Sequence, residues 1–176
     1  DNIYVYSTGV SANYVGYALA PGYGNEWFHA AYTTHVSDSN RLYINGVQVD
    51  KKPSNGTFCD GFTPTFSIGA EVGGLVATDF FVGLMDEVGM WNYPLSVAEI
   101  NQYMECPPNG TETGLLGFWD FEEGTGVTST DQTSNSNNAS FVGSPAWSTD
   151  TQPYNCGQSQ NVEEFHQGQA VVYPNP

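Results

Sequence analysis

Short apolar stretches separated by turn-forming residues recur through the first 105 residues, and this spacing constrains the fold more than any other feature. Six stretches are candidate strands, at residues 2–7, 14–19, 27–34, 41–49, 65–69 and 80–91. In the fourth stretch, Asn45-Gly46 lies between alternating apolar residues, which is a strong signal for a β-hairpin turn. Because no helical pattern separates these strands, the sequence predicts an all-β antiparallel sandwich or jelly roll.

One short helix is predicted after these strands. Ser96 and Glu99 have the spacing of a capping box, in which each side chain accepts a hydrogen bond from the backbone of the other. Pro107 ends the helix because it cannot continue the hydrogen-bond pattern. A further strand is predicted over residues 115–121, an ordered loop or irregular hairpin over 124–140, and a last short strand over 141–147. The apolar residues that recur at helical spacing are Val97, Ile100 and Met104.

The chain is strongly acidic, with 19 Asp and Glu residues against 3 Lys and Arg and a formal net charge of −16. This balance excludes a nucleic-acid-binding protein and one that adsorbs to anionic membranes, because few cations are available to meet phosphates. No apolar run reaches the length of about 18 residues that a membrane-spanning helix needs. Sparse charge, at 12% of residues, combined with 14% aromatic residues is typical of an extracellular β-protein.

The chain has three cysteines, Cys59, Cys106 and Cys156. An odd number in a secreted protein implies one free thiol or a partner elsewhere. Cys106 ends the predicted helix and Cys156 lies in a later loop. We predict that these two form a disulfide, worth roughly 4 kcal/mol on the chain-entropy estimate. Cys59 would then lack a partner within the chain. The alternative is three reduced, buried thiols.

The chain carries four motifs that together suggest a family. One motif joins Trp27-Phe28-His29 to the hairpin at Asn45-Gly46, and the others are residues 81–96 (FVGLMDEVGMWNYPLS), 116–126 (LGFWDFEEGTG) and 131–138 (DQTSNSNN). These motifs resemble the laminin-G-like, concanavalin A-like jelly-roll family, and the resemblance implies a jelly-roll β-sandwich over residues 1–156. Gly89 stands where the family usually has Arg, and the motif that often opens such a domain here follows the helix. We therefore expect the opening strands to lie upstream of residue 1 in a longer secreted protein, or on another chain.

The end of the chain carries a second resemblance. Residues 171–176 (VVYPNP) resemble the opening of the C-terminal sorting domain of the type IX secretion system. The polar, Gln-rich residues 157–170 before them are typical of a linker. The two resemblances together imply a secreted or cell-surface protein of the Bacteroidota, exported by that machinery.

Enzymatic activity is not expected. Glucanases with a similar sandwich carry Glu-x-Asp-x-x-Glu on one strand, which puts the carboxylates on one face for nucleophile and acid–base roles. No Glu in this chain is followed by Asp two residues later. The adjacent pairs Asp86-Glu87 and Glu122-Glu123 would point to opposite faces of a strand.

Calcium is the predicted cofactor, and its candidate ligands are Asp86, Glu122 and Asp131. In a strand over residues 80–91, Asp86 shares a face with Leu84, Val88 and Met90, where an unpaired carboxylate is costly. The nearest cation in sequence is Lys52, and Ca²⁺ prefers hard oxygen ligands. The family resemblance implies the same role, because in similar sandwiches the corresponding Asp often holds a structural calcium. The alternative is that Asp86 accepts backbone hydrogen bonds and Asp131 nucleates an Asx turn.

Glycan recognition would require exposed aromatic side chains, because sugar faces stack on aromatic rings. The candidate ligand-binding residues are Tyr17, Tyr23 and Tyr93. The alternative is that these side chains pack in the core or across strands.

The sequence as a whole predicts a non-catalytic extracellular module for adhesion or glycan recognition. Its expected partners are a glycan or another cell-surface ligand and the type IX secretion machinery, with neither nucleic-acid binding nor membrane insertion. Two alternatives stay open. The chain could be an accessory module of an exported hydrolase whose catalytic domain lies upstream, or a structural spacer carried as secretion cargo.

Overall fold

The computed structural model describes residues 2–6, 14–19, 26–54, 67–73, 76–78, 80–143, 145–150 and 156. Its elements within these ranges are β1 (Asn2–Tyr6), β2 (Tyr14–Ala18), β3 (Ala30–Thr34), β4 (Ser39–Ile44), β5 (Val47–Pro53), β6 (Glu71–Gly73), β7 (Val76–Thr78), β8 (Val88–Trp91), α1 (Val97–Glu105), β9 (Leu115–Trp119), β10 (Thr128–Ser129) and β11 (Ala139–Ser140).

Every ladder among the described strands is antiparallel. Strands β3, β4 and β5 form a three-stranded sheet, and the others pair as β1–β2, β6–β7, β8–β9 and β10–β11. This arrangement confirms the predicted all-β antiparallel fold with one short helix. The short β10–β11 ladder also matches the irregular hairpin predicted for residues 124–140.

The predicted hairpin turn joins β4 to β5. Asn45 and Gly46 have positive φ angles of 49° and 75°, as a two-residue turn of type I′ requires. The Asn45 N–H donates to the His29 carbonyl oxygen over 2.8 Å. The His29 N–H donates in turn to Asn45 Oδ1 over 2.8 Å. These two bonds fix the turn against the residues that lead into β3.

The core cluster contains Val15 from β2 and Leu42 and Ile44 from β4, none of them more than 4% exposed. Strand β2 lies against β4 and β5. The Gly16 N–H donates to Asp50 Oδ2 over 3.0 Å across this contact. Ile3, Val15 and Tyr17 of β1 and β2 therefore pack toward the three-stranded sheet, as a β-sandwich requires.

Helix α1 begins at the predicted capping box. The Glu99 N–H donates to Ser96 Oγ over 3.3 Å, and the Ser96 N–H donates to Glu99 Oε2 over 2.7 Å. Ile100 is 1% exposed, as its helical spacing predicts. Val97, predicted on the same apolar face, is 48% exposed, so that part of the pattern is wrong.

Glycines in β8 and β9 make room for tryptophan rings. A Cβ atom at Gly89 would lie 2.6 Å from the Trp91 ring, and one at Gly117 would lie 2.6 Å from the Trp119 ring. Trp91 also stacks on Tyr103 of α1, with ring centroids 5.1 Å apart. An Arg at position 89, which the family usually carries, would clash with the Trp91 ring in its present position.

Three predicted strands differ from the structure. Strand β8 covers only Val88–Trp91, because Glu87 has a φ of 54° that interrupts the extended backbone predicted from residue 80. Residues 67–69 of the predicted strand 65–69 contain bends, and the hairpin β6–β7 follows them. The described residues between 141 and 147 are not a strand either, since β11 ends at Ser140.

The structure contains the predicted disulfide between Cys106 and Cys156, whose Cα atoms lie 5.1 Å apart. The disulfide closes the segment that carries β9, β10 and β11. Cys59, the linker 157–170 and the sorting motif 171–176 lie outside the described residues, so the predictions for them stay predictions.

Candidate functional site

Residues 80–85, which we call the apolar segment, expose hydrophobic side chains to solvent. Phe80 is 61% exposed, Phe81 48% and Val82 95%. The segment is anchored, because the Phe81 N–H donates to the Gly69 carbonyl oxygen over 2.8 Å. Contiguous exposed apolar residues on an anchored segment are typical of an interaction surface.

Asp86 directly follows the apolar segment and is half-buried. Its Oδ1 accepts the Glu87 N–H over 2.9 Å, whereas its Oδ2 is buried and has no hydrogen-bond partner among the described residues. Burial, followed by the charges of Glu87, Glu122 and Asp120, raises the pKa of Asp86 to about 8. Ionising this carboxyl group at neutral pH therefore requires a compensating positive charge.

The predicted surroundings of Asp86 are partly wrong. Leu84 is 40% exposed and Met90 is 36% exposed. Residues 84–87 do not lie in a strand, so Asp86 does not share a buried apolar face with them. The unfavourable environment of its charge comes instead from its own burial and from the neighbouring carboxylates.

The chemistry around Asp86 fits a hard divalent cation. The unused Oδ2 is a carboxylate oxygen, the kind of ligand that Ca²⁺ prefers, and Glu122 acts on Asp86 through its charge. Within the described ranges, no group of three or more His, Cys, Asp or Glu side chains is arranged as a metal site. A cation at Asp86 would therefore need further oxygen ligands from backbone carbonyls or water. Calcium binding by Asp86 and Glu122 stays a prediction.

Asp131 organises its own loop. Its Oδ1 accepts the N–H groups of Phe118 and Thr133 over 3.0 and 2.9 Å. Its Oδ2 accepts the Thr133 hydroxyl and the Asn137 N–H over 2.9 and 2.8 Å. Burial alone would raise the pKa of Asp131, but these hydrogen bonds outweigh it and lower the pKa. This geometry favours the Asx-turn alternative for Asp131, and its role as a calcium ligand stays a prediction.

Loop residues 132–137 cover the edge of β9 that is not paired with β8. The Gln132 N–H donates to the Phe118 carbonyl oxygen over 2.8 Å. The side-chain amides of Asn135 and Asn137 donate to the Leu116 carbonyl oxygen over 3.1 and 2.8 Å. Loop groups thus replace a neighbouring strand along this edge, which protects it from pairing with another chain.

The three candidate tyrosines are not brought together by the described structure. Tyr17 packs against the core cluster. Tyr93 is 37% exposed, and its hydroxyl donates to Glu99 Oε1 over 3.1 Å. Tyr23 lies outside the described residues. A ligand-binding role for these side chains stays a prediction.

The structure adds two exposed aromatic residues, Phe80 and Phe81, that sequence reasoning did not select. The predicted strand over residues 80–91 would have placed them in a half-buried sheet. The signal in the sequence was the apolar run Phe80-Phe81-Val82, which does not alternate with polar residues as a half-buried strand would.

The antiparallel ladders and the packing of β2 on β4 and β5 define the class of this protein as a β-sandwich. A laminin-G family model, described as the concanavalin A-like lectin/glucanases superfamily, matches residues 2–101. This match spans more than half of the chain, and the chain belongs to that family. Neither the curated proteins nor the solved structures include a significant match.

The folded unit continues beyond the matched residues. Strand β9 pairs with β8 in a register that places Val88 opposite Trp119 and Trp91 opposite Leu115. The Asn92 N–H also donates to the Gly114 carbonyl oxygen over 2.9 Å.

None of the described helical residues forms a stretch long and apolar enough to cross a bilayer.

Proposed function

We propose that this chain is a non-catalytic extracellular module that binds a glycan or another cell-surface ligand. The observation that carries the proposal is the family match over residues 2–101, because laminin-G-like domains are typically binding modules without catalytic activity. The sequence also lacks the Glu-x-Asp-x-x-Glu pattern of the related glucanases.

The proposed ligand surface is the apolar segment together with Asp86. Phe80 and Phe81 offer flat apolar faces, which suit the C–H faces of sugar rings. Asp86 and, through its charge, Glu122 would hold a calcium ion. That ion would neutralise the buried carboxylate and stabilise the turn that follows the apolar segment.

We also propose that the jelly roll extends to Cys156 and that the protein reaches the cell surface by type IX secretion. The β8–β9 ladder and the Cys106–Cys156 disulfide support the first part. The likeness of residues 171–176 to a sorting-domain opening, after the polar stretch 157–170, supports the second. Export that persists after residues 171–176 and everything C-terminal to them are deleted would contradict this route.

A glycan array probed with the full chain tests the binding proposal, with and without a chelator. We expect a defined set of glycans to bind. Replacing both Phe80 and Phe81 by Ala should weaken binding by about tenfold, the effect of losing an aromatic hot spot. Val142→Ala, at a position that is 77% exposed outside the segment, is the matched control and should leave binding unchanged. Absence of glycan binding, or binding that the double variant does not weaken, would contradict the proposed surface.

The enzymatic alternative has its own test, because the family includes glucanases. Incubating the chain with β-glucans should release no product. Turnover that disappears when a single Glu of this chain is replaced by Gln would show that the module is catalytic.

A further inference from the structure

The loop between α1 and β9 contains the reactive dipeptide Asn109-Gly110. A glycine after asparagine leaves the backbone nitrogen unhindered, because glycine has no Cβ. The chain contains three such dipeptides, which begin at Asn45, Asn55 and Asn109. Asn55 lies outside the described residues, whereas Asn109 is exposed to solvent.

The side chains of Thr111 and Glu112 contact the atoms that would react in the Asn109-Gly110 dipeptide. The Thr111 hydroxyl donates to Asn109 Oδ1 over 2.5 Å, and the Thr111 N–H donates to the same oxygen over 3.1 Å. Donors on an amide oxygen stabilise the negative charge that develops there during nucleophilic attack. Glu112 Oε2 accepts the Gly110 N–H over 3.1 Å, which places a carboxylate at the proton that the attacking nitrogen must lose.

The fold holds this arrangement in place. Glu112 Oε1 accepts the Asn109 N–H over 2.8 Å, so one carboxylate bridges both residues of the dipeptide. Gly110 has a φ of 91°, and a Cβ there would lie 2.2 Å from the Gln132 carbonyl oxygen. Any residue with a side chain is therefore excluded at position 110.

We propose that Asn109-Gly110 is a self-modifying site at which the folded protein converts its own asparagine amide to an acid. The Gly110 nitrogen gives its proton to Glu112 and forms a bond to Asn109 Cγ. The Cγ–Nδ2 bond breaks, and Nδ2 leaves as ammonia with the transferred proton. Water then opens the resulting succinimide at either carbonyl, which yields aspartate or isoaspartate.

Asn45-Gly46 provides an internal control, because the dipeptide is the same but its contacts differ. The Asn45 N–H donates to the His29 carbonyl oxygen, and Asn45 Oδ1 accepts the His29 N–H. Among the described residues no carboxylate accepts the Gly46 N–H, so this site lacks the base that Glu112 supplies at Gly110.

Conversion at Asn109 changes the local charge as well as the covalent structure. It adds a second carboxylate to the loop that contains Glu112, and like charges repel. The isoaspartate product also lengthens the backbone within the loop that joins α1 to β9. The site therefore changes the loop that joins α1 to β9 without any enzyme.

Mass spectrometry of the full chain, incubated at mildly alkaline pH and then reduced, measures both sites in one sample. Cleavage with trypsin and a glutamate-specific protease gives residues 106–112 for Asn109 and residues 42–51 for Asn45. We expect the amide-to-acid mass increase and isoaspartate in residues 106–112, while residues 42–51 stay unchanged.

Two variants test the roles of the neighbouring side chains. Glu112→Gln should slow conversion by about tenfold or more, the least that a positioned base contributes, and Thr111→Val should slow it too. Because Glu112→Gln removes a cleavage site, the Asn109 peptide of that variant extends to residue 122.

The denatured chain separates catalysis by the fold from reactivity of the dipeptide alone. When unfolded in urea, Asn45 and Asn109 should convert at similar rates, and Glu112→Gln should have no effect. This comparison remains informative if a variant folds poorly. An Asn109 that stays an amide in the folded chain, or that converts equally fast in the folded wild-type chain and in the Glu112→Gln variant, would overturn the proposal.

Discussion

At the scale of single residues, burial controls the ionisation of His29, which lies just before β3. Burial lowers the pKa of His29 from 6.5 to about 4. Between these two values the unfolded chain binds a proton that the folded protein does not. Acidification through this range therefore destabilises the fold, and each pKa unit of difference corresponds to about 1.4 kcal/mol.

We expect His29→Gln to remove this part of the pH dependence. Urea unfolding measured at several pH values between the two pKa values should show the wild-type free energy of unfolding falling more steeply with acid than that of the variant. The exposed His35 is the matched control, and His35→Gln should keep the wild-type slope. Equal slopes for wild type and His29→Gln would contradict a His29 side chain that stays neutral in the folded protein.

The close approach of Trp91 to Gly89 gives a second prediction at this scale. Gly89→Arg would restore the residue that the family usually has, but the side chain would displace Trp91 from Tyr103. We expect it to lower the free energy of unfolding by about 1–3 kcal/mol, the usual cost of overpacking. Ala98→Arg on the exposed side of α1 is the control, because it adds the same charge without a clash. Stabilisation by Gly89→Arg would show that the lost charge matters more than the space.

At the scale of elements, short-range signals predicted α1 and the β4–β5 hairpin. The capping box at Ser96 and the turn at Asn45-Gly46 each depend on a few consecutive residues. The start of β8 could not be predicted in this way, because the turn at Glu87 follows a segment anchored to Gly69, which is distant in sequence. The start of β8 therefore depends on a contact with Gly69 that local sequence patterns do not reveal.

The loop around Asp131 gives a prediction at the element scale. Asp131→Ala would remove the acceptor for the N–H groups of Phe118, Thr133 and Asn137. We expect the free energy of unfolding to fall by about 3 kcal/mol or more, because each unsatisfied buried donor costs about 1–3 kcal/mol. Chemical denaturation measures the change. The exposed Asp150→Ala is the control, and equal effects of the two substitutions would contradict a structural role for Asp131.

At the scale of the whole molecule, positive charge is confined to one hairpin. Arg41 lies in β4 and Lys51 and Lys52 lie in β5. Arg41 forms an ion pair with Asp38, and Lys52 Nζ lies 3.6 Å from Asp50 Oδ1. The sequence after Lys52 contains acids but neither Lys nor Arg, so no lysine or arginine from that part of the chain neutralises Asp86.

The candidate site was only partly predictable from sequence. Asp86 was identified because a carboxylate beside apolar residues far from any cation is chemically unusual. The sequence did not distinguish the role of Asp86 from that of Asp131. The hydrogen bonds that satisfy Asp131 come from residues as far as 13 positions away, and a sequence pattern does not show them. Phe80 and Phe81 were missed because their exposure depends on where β8 begins.

We propose that Asp86 holds a cation, and the thermal unfolding midpoint of the chain with and without calcium reports on that binding. A ligand that binds only the folded state stabilises it by about 2.7 kcal/mol at a hundredfold excess over its dissociation constant. We expect EDTA to lower the midpoint of the full chain and Ca²⁺ to restore it more than Mg²⁺ does. Asp86→Asn should remove most of this response, whereas Asp150→Asn should retain it. A midpoint that EDTA and Ca²⁺ leave unchanged in the wild-type chain would contradict the cation site.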